Sequence, residues 1–337
     1  MPGRTLDIQT SPHVHQGSST NAIMWNVVIA LAPTTLFAVY AFGWAAVATL
    51  TMATLSCVLT EHLLCRASDK PTTIFDGSAV ITGLLFGLTL PPALPLWMTF
   101  VGGFLCIGLG KAMFGGLGNN PLNPALVGRA VLQAAFPVPM TTWVAALTED
   151  RFSGLASSIT TAPLSRPVVD VVSGATPLSA WKFDHQLTAD MDLLLGNVSG
   201  SVGETCAVLI LLGGLYLVAR KMMNWRIPVV IFAATAAVSG ALYLHDSAAY
   251  PPPQFMLLSG GMMLGAVFMA TDMVGSPMST RGIVVYGTLI GVLTVVIRVW
   301  GGMPEGMMYA ILLGNAATPH LDKLFQPRIY GTGRGAS

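Results

Sequence analysis

Charge is what this sequence has least of: Asp, Glu, Lys and Arg make up 9% of its 337 residues, against about 25% in soluble domains. None of the four occurs between Asp7 and Glu61, between Asp76 and Lys111, or between Arg226 and Asp246. A helix crosses a bilayer with about 20 apolar residues, so each gap has the length of a crossing. With 53% hydrophobic residues and a mean hydropathy of +0.68, the apolar runs do not alternate with polar surface helices as they would in a soluble fold. Lipid is the expected surround, and nucleic acid is not an expected partner.

Paired cysteines are also missing. Cys57, Cys65, Cys106 and Cys206 show no Cys-x-x-Cys spacing, and three of them lie in apolar runs, where Cys acts as a small hydrophobe. No metal or iron–sulfur site built by this chain alone is expected. Met1 to Gly17 lacks the hydrophobic core of a cleavable signal peptide, and no Gly-x-Gly-x-x-Gly stretch marks a nucleotide fold.

Apolar runs read against Gly and Pro breakers predict spans near 22–42, 44–65, 77–92, 96–114 and 122–137, then 203–221, 227–245, 255–271, 282–299 and 303–319. The reading is an all-α integral membrane protein of about ten transmembrane helices, arranged as a 5+5 inverted repeat with short and broken helices. An odd number of spans per half makes the second half enter from the opposite side. Phe114-Gly115-Gly116 before the fifth span is echoed by Trp300-Gly301-Gly302 before the tenth. The third and eighth spans are both short, contain Gly and are followed by Pro. The expected organisation is a tail at 1–21, a five-helix repeat at 22–137, a polar segment at 138–202, a second repeat at 203–319 and a tail at 320–337.

Basic residues of short loops collect on the cytoplasmic side. With the N-terminus inside, that side holds Arg4, Arg66, Lys70, Lys111, Arg220, Lys221, Arg226, Arg281, Lys323, Arg328 and Arg334, and the short outer loops and span ends hold Arg298 alone. Both tails are then cytoplasmic and 138–202 is external.

Two stretches have the residue types of a ligand site. Ser173-Gly174-Ala175-Thr176-Pro177-Leu178-Ser179 reads as a turn in which Gly174 allows an unusual backbone angle. Pro177 disfavours a helix through Thr176 and leaves its hydroxyl on an exposed bend. Phe114 to Ala125, with Gly115, Gly116, Gly118, Pro121 and Pro124, predicts a helix break. Asn119, Asn120 and Asn123 either cap the broken helix or present amide donors and acceptors to a ligand. Glu61, Arg129 and Asp272 are the ionisable groups expected near membrane depth, where a charge is costly. Glu61 and Asp272 read as water-facing or capping groups, and Arg129 as a partner of backbone carbonyls or an electrostatic support for a bound anion. His62 and His320 read as interfacial groups beside spans.

The Ser-Gly-Ala-Thr stretch resembles the flavin-attachment site of the family that holds the B subunit of sodium-translocating NADH:quinone reductase and the D subunit of the Rnf complex. The Gly-Gly-Leu-Gly-Asn-Asn-Pro-Leu-Asn-Pro-Ala run is similar to a second stretch of that family, as are Asp76 to Gly83, Leu90-Pro91-Pro92 and Thr271 to Pro277. Met273 stands where many members would have Pro. The short N-terminus looks like the Rnf D subunit. The resemblance implies FMN joined by a phosphodiester to Thr176, with Ser173, Gly174 and Ala175 forming its motif, and riboflavin held noncovalently by Asn120 and Asn123. A separate flavin transferase would attach the FMN, so Thr176 is an acceptor and no residue of the chain is expected to be catalytic.

It further implies the fold of the quinone-reductase B subunit and of urea channels, in the bacterial inner membrane. The function implied is electron passage between ferredoxin and NAD+ coupled to Na+ or H+ translocation. The partners implied are iron–sulfur membrane subunits, a periplasmic flavin-bearing G-type subunit and peripheral ferredoxin- and NAD-binding subunits. The alternatives are a B-type subunit of a quinone reductase, a small-solute channel or transporter of the same fold, and a structural scaffold for redox subunits.

Overall fold

A computed structural model of the chain describes residues 19–69, 72–154, 157–163, 165, 174–204 and 206–326. The tail expected at 1–21 falls outside these residues up to Ser18, as do Ser173 of the Ser-Gly-Ala-Thr motif and 327–337 of the C-terminal tail.

The charge-free runs fold as helices. The first set is α1 (Thr20–Phe42), α2 (Trp44–Ala67), α3 (Ser78–Leu88), α4 (Leu96–Gly110) and α5 (Pro124–Ala135). Three short helices follow: α6 (Pro137–Met140), α7 (Pro177–Asp184) and α8 (Asp190–Leu195). The second set is α9 (Ala207–Ala219), α10 (Arg226–His245), α11 (Pro253–Leu258), α12 (Met262–Leu264) running into a π turn at Gly265–Met269, α13 (Thr280–Trp300) and α14 (Met307–Leu324). Five segments are long and apolar enough to cross a membrane: Thr20–Phe42, Trp44–Ala67, Leu96–Phe114, Arg226–His245 and Thr280–Trp300. Ser78–Leu88 and Ala207–Ala219 are shorter apolar helices.

The outward faces stay apolar. Leu36, Leu55, Leu63, Leu212, Leu215 and Leu244 are all exposed, which suits a multi-pass membrane protein whose outer surface meets lipid and is wasteful in water. Inside, small residues let helices approach closely, and the core runs unbroken from Leu31 and Leu50 through Phe86 and Leu132 to Phe268, Tyr286 and Ile311.

Packing repeats between the sets. The fourth helix α4 lies on α2 and α5, and α13 lies on α10 and α14. The third segment is short in both: α3 ends at Leu88, and its counterpart breaks between Leu258 and Met262. The sets meet where α1 packs on α9 and where α5 packs on α14. Residues 147–152 lie over the α1–α2 junction. Leu147 N–H donates to Ala41 O at 2.8 Å, Trp44 Nε1 to Phe152 O at 3.1 Å and Arg151 Nε to Tyr40 O at 2.9 Å. Gly43 makes that junction with φ of 63°, and a Cβ there would lie 1.9 Å from Arg151 O, so only glycine fits.

Candidate functional site

The Ser-Gly-Ala-Thr motif ends at the head of α7. Pro177 takes the first helical position, where its missing N–H costs nothing, and Thr176 is the N-cap: its Oγ1 accepts from Ser179 N–H at 3.2 Å and donates to Ser179 Oγ at 2.9 Å. Two expectations need correction here. Thr176 is not on an exposed bend; it is 2% exposed, because capping turns its side chain back onto α7 and Leu178 and Trp181 bury the helix against Phe255 and Met256. Gly174 does not take a left-handed angle. What excludes a side chain there is Ser199, whose Oγ would lie 2.4 Å from a Cβ. Gly174 N–H donates to Trp143 O at 2.9 Å, and Ala175 is exposed.

Thr176 and Ser179 border a cavity of about 360 Å³, walled by Trp143, Phe183, Tyr309, Gln133, Arg129 and Glu305 among others. Aromatic faces, the Thr176 hydroxyl at the head of α7 and the Arg129–Glu305 ion pair line this space, the mixture of apolar wall and few polar groups usual in small-molecule sites. The Nε of Arg129 is buried there without a partner, so the cavity has a donor to offer. Lys182, one turn along α7, ties the helix to the α13–α14 loop by donating to the carbonyls of Arg298 at 3.0 Å, Met303 at 3.3 Å and Gly301. Partial burial lowers the pKa of its ammonium from the ordinary lysine value.

A second cavity, of about 140 Å³, is lined by Asn120, Asn123, Lys111, Ser78, Phe268 and Asp272 among others. Asn123 is the N-cap of α5, its Oδ1 accepting from Ala125 N–H at 3.0 Å, while its Nδ2 donates to Met269 O at 3.2 Å in the other helix set. Asn120 Nδ2 reaches Leu122 O at 3.4 Å and Asp272 Oδ2 at 3.5 Å. Both asparagines are buried. Capping is therefore realised at Asn123, and the same residue lines the cavity. Asp272 closes its own turn, accepting from Val274 N–H at 3.3 Å, and Ser276 N–H donates to its carbonyl at 3.1 Å. The turn forms with Met273 in place of Pro.

The charged groups pair more than the sequence suggested. Glu61 does not face water: it is 4% exposed and accepts Lys111 Nζ at 2.8 Å on each carboxylate oxygen, with Thr73 donating to it as well. Lys111 also donates to Ser78 Oγ at 2.6 Å. Arg129 takes a carboxylate in place of backbone carbonyls, meeting Glu305 at 2.7 Å. Arg298 is no interfacial outer charge but is 1% exposed, with its guanidinium donating to Met256 O and to Ser259 O at 2.9 Å across the break in the α11–α12 segment. Glu204 and Glu305 were not singled out in the sequence, and Arg298 was read only as an orientation marker. The available signal was their setting, since each stands beside glycine or at the edge of an apolar run where a charge has few aqueous neighbours.

Similarity to known proteins runs along the whole chain. The model of the NQR2, RnfD, RnfE family matches residues 7–331. The D subunit of the proton-translocating ferredoxin:NAD(+) oxidoreductase complex of Clostridium ljungdahlii is 40% identical in an alignment covering 97% of this chain and 96% of the relative. Its Na(+)-translocating counterpart from Acetobacterium woodii is 39% identical, covering 97% and 95%. The D subunit of the ion-translocating oxidoreductase complex of Alcanivorax borkumensis is 39% identical, covering 97% of each chain.

Proposed function

The chain belongs to the NQR2, RnfD, RnfE family, and from that premise we propose that it is the D-type membrane redox subunit of an Rnf-type ferredoxin:NAD+ oxidoreductase, carrying FMN on Thr176. The observation that carries the reading is the placement of Thr176 at the head of α7, on the wall of an aromatic cavity that also holds Arg129. Joined there, the flavin would supply electron transfer.

The chain's own residues suit that task. The helix N-terminus and Arg129 favour a phosphodiester charge, Trp143, Phe183 and Tyr309 offer faces for a ring, and Ser179 N–H remains a donor to the ester oxygen. The second cavity would take riboflavin, with Asn120 and the surrounding apolar wall making contact while Asn123 holds the helix break in place. The recurring helix pairings support a 5+5 inverted repeat of 22–137 and 203–319. The distribution of Lys and Arg supports cytoplasmic tails with 138–202 on the periplasmic side of the inner membrane. Iron–sulfur subunits, a flavin-bearing periplasmic subunit and peripheral ferredoxin- and NAD-binding subunits would complete the path, with Na+ or H+ as the transported ion.

The test is flavin fluorescence of the denatured subunit after co-expression with a flavin transferase. Wild type and Thr176→Ser are expected to fluoresce at the mass of this chain. Thr176→Asn, which keeps an N-cap but offers no hydroxyl, is expected to be dark. A dark wild type beside a fluorescent, known flavinylated partner would overturn the reading in favour of a scaffold or channel.

A further inference from the structure

Next to the Thr176 cavity, in the seam between the helix sets, lies a much smaller cavity of about 20 Å³ lined by Arg129, Ser201, Glu204, Arg298 and Glu305 among others. Its polar atoms are not all satisfied. Ser201 Oγ, Glu204 Oε1, Glu305 Oε1, Arg129 Nε and Arg298 Nε are buried without a hydrogen-bond partner, although Ser201 and Arg298 are each 1% exposed and Arg129 is 5% exposed. Orphans of this kind are individually costly, and five around one space point to something that the space holds.

The charges identify it. Arg129 is committed to Glu305 Oε2 at 2.7 Å, and Arg298 to the carbonyls of Met256 and Ser259. Glu204 has no such ion pair among the described residues, and it lines the same small cavity as Glu305, each with one carboxylate oxygen left unpartnered there. Two carboxylates that share one small space, each with an oxygen buried from water, repel one another, and one proton between them removes the repulsion while satisfying an oxygen on each. The other titratable groups facing the pair are Tyr309 of α14 and, across the Arg298 carbonyl, Lys182 of α7.

We propose that Glu204 and Glu305 form an acid pair that holds one exchangeable proton in the seam between the helix sets. The site adjoins the Thr176 cavity directly, because Arg129 and Glu305 line both spaces. The proton comes from water and returns to it: one carboxylate oxygen gains an O–H bond on uptake and loses it on release. A negative charge entering the Thr176 cavity pulls Arg129 away from Glu305 and favours uptake. The pair is thus a proton site responsive to the cavity beside it.

Infrared difference spectroscopy of the purified complex carrying this subunit tests the assignment through the C=O stretch of a protonated carboxyl, recognised by its shift in D2O. Wild type is expected to show one such band that Glu204→Gln and Glu305→Gln each abolish, since either carboxyl left alone beside the arginines ionises. Glu204→Asp is expected to keep the band at a shifted position, which separates loss of the pair from loss of the fold. Survival of the band in either Gln variant, its absence from wild type at every pH, or its removal by Na+ at fixed pH overturns the proposal. Flavin fluorescence on the same samples reads the Thr176 assignment independently, so a failure of one is not a failure of the other.

Discussion

Lys111 sits at the end of an apolar helix with all of its hydrogen-bonding directed inward, to both oxygens of Glu61 and to Ser78. A buried ion pair of this kind adds little net stability over a well-packed apolar pair, but breaking it leaves a charge without a counterion. Lys111→Met is therefore expected to destabilise the subunit by about 3–5 kcal/mol, while Lys111→Met with Glu61→Leu recovers most of that loss. Unfolding in detergent, compared across wild type, single and double variants, measures it. The pair was half legible beforehand: Glu61 stood out as a carboxylate beside an apolar run, whereas Lys111 was counted as an orientation marker. Nothing in a one-dimensional reading brings together residues 50 positions apart, and a charge at a span end looks the same whether it faces water or a partner.

At the scale of elements, the helices were legible because lipid imposes a composition on them. The expected spans at 22–42, 44–65, 227–245 and 282–299 correspond to α1, α2, α10 and α13 within a few residues, since the absence of charge and the flanking Gly or Asn fix their ends. The breaks were legible for the opposite reason, as Gly and Pro cluster where backbone groups must find other partners. What could not be read was which partners they find. Asn123 serves as the N-cap of α5 and also as a cross-link to Met269 O, 146 positions away. Asn123→Ala is expected to weaken α5 by about 1 kcal/mol through the lost cap and to loosen the second cavity. It should lower riboflavin content while leaving the Thr176-linked FMN in place. Quantifying extractable and covalent flavin on the same purified sample checks this, and equal loss of both or of neither would sink the assignment of the second cavity.

For the whole molecule, the two helix sets meet where α1 packs on α9 and α5 on α14, and side chains such as Asn123 to Met269, Asn120 to Asp272 and Arg129 to Glu305, across 176 positions, link them. These links place the Thr176 cavity and the Asn120 cavity on separate walls of one seam, with Arg129 near the first and Lys111 near the second. If the basic loops face the cytoplasm, the first cavity opens to the periplasm and the second toward the cytoplasmic side, so electrons passing between them would cross the membrane. Single cysteines in a background lacking Cys57, Cys65, Cys106 and Cys206 decide the point. Phe183→Cys and Met191→Cys, at exposed positions of the external segment, are expected to react with a membrane-impermeant maleimide in intact spheroplasts. Phe75→Cys and Leu324→Cys, exposed at the opposite ends of the spans, are expected to react only after the membrane is opened. The reverse pattern would place Thr176 in the cytoplasm, and labelling of all four in intact spheroplasts would remove the odd count of crossings on either side of the 138–202 segment on which the transmembrane path depends.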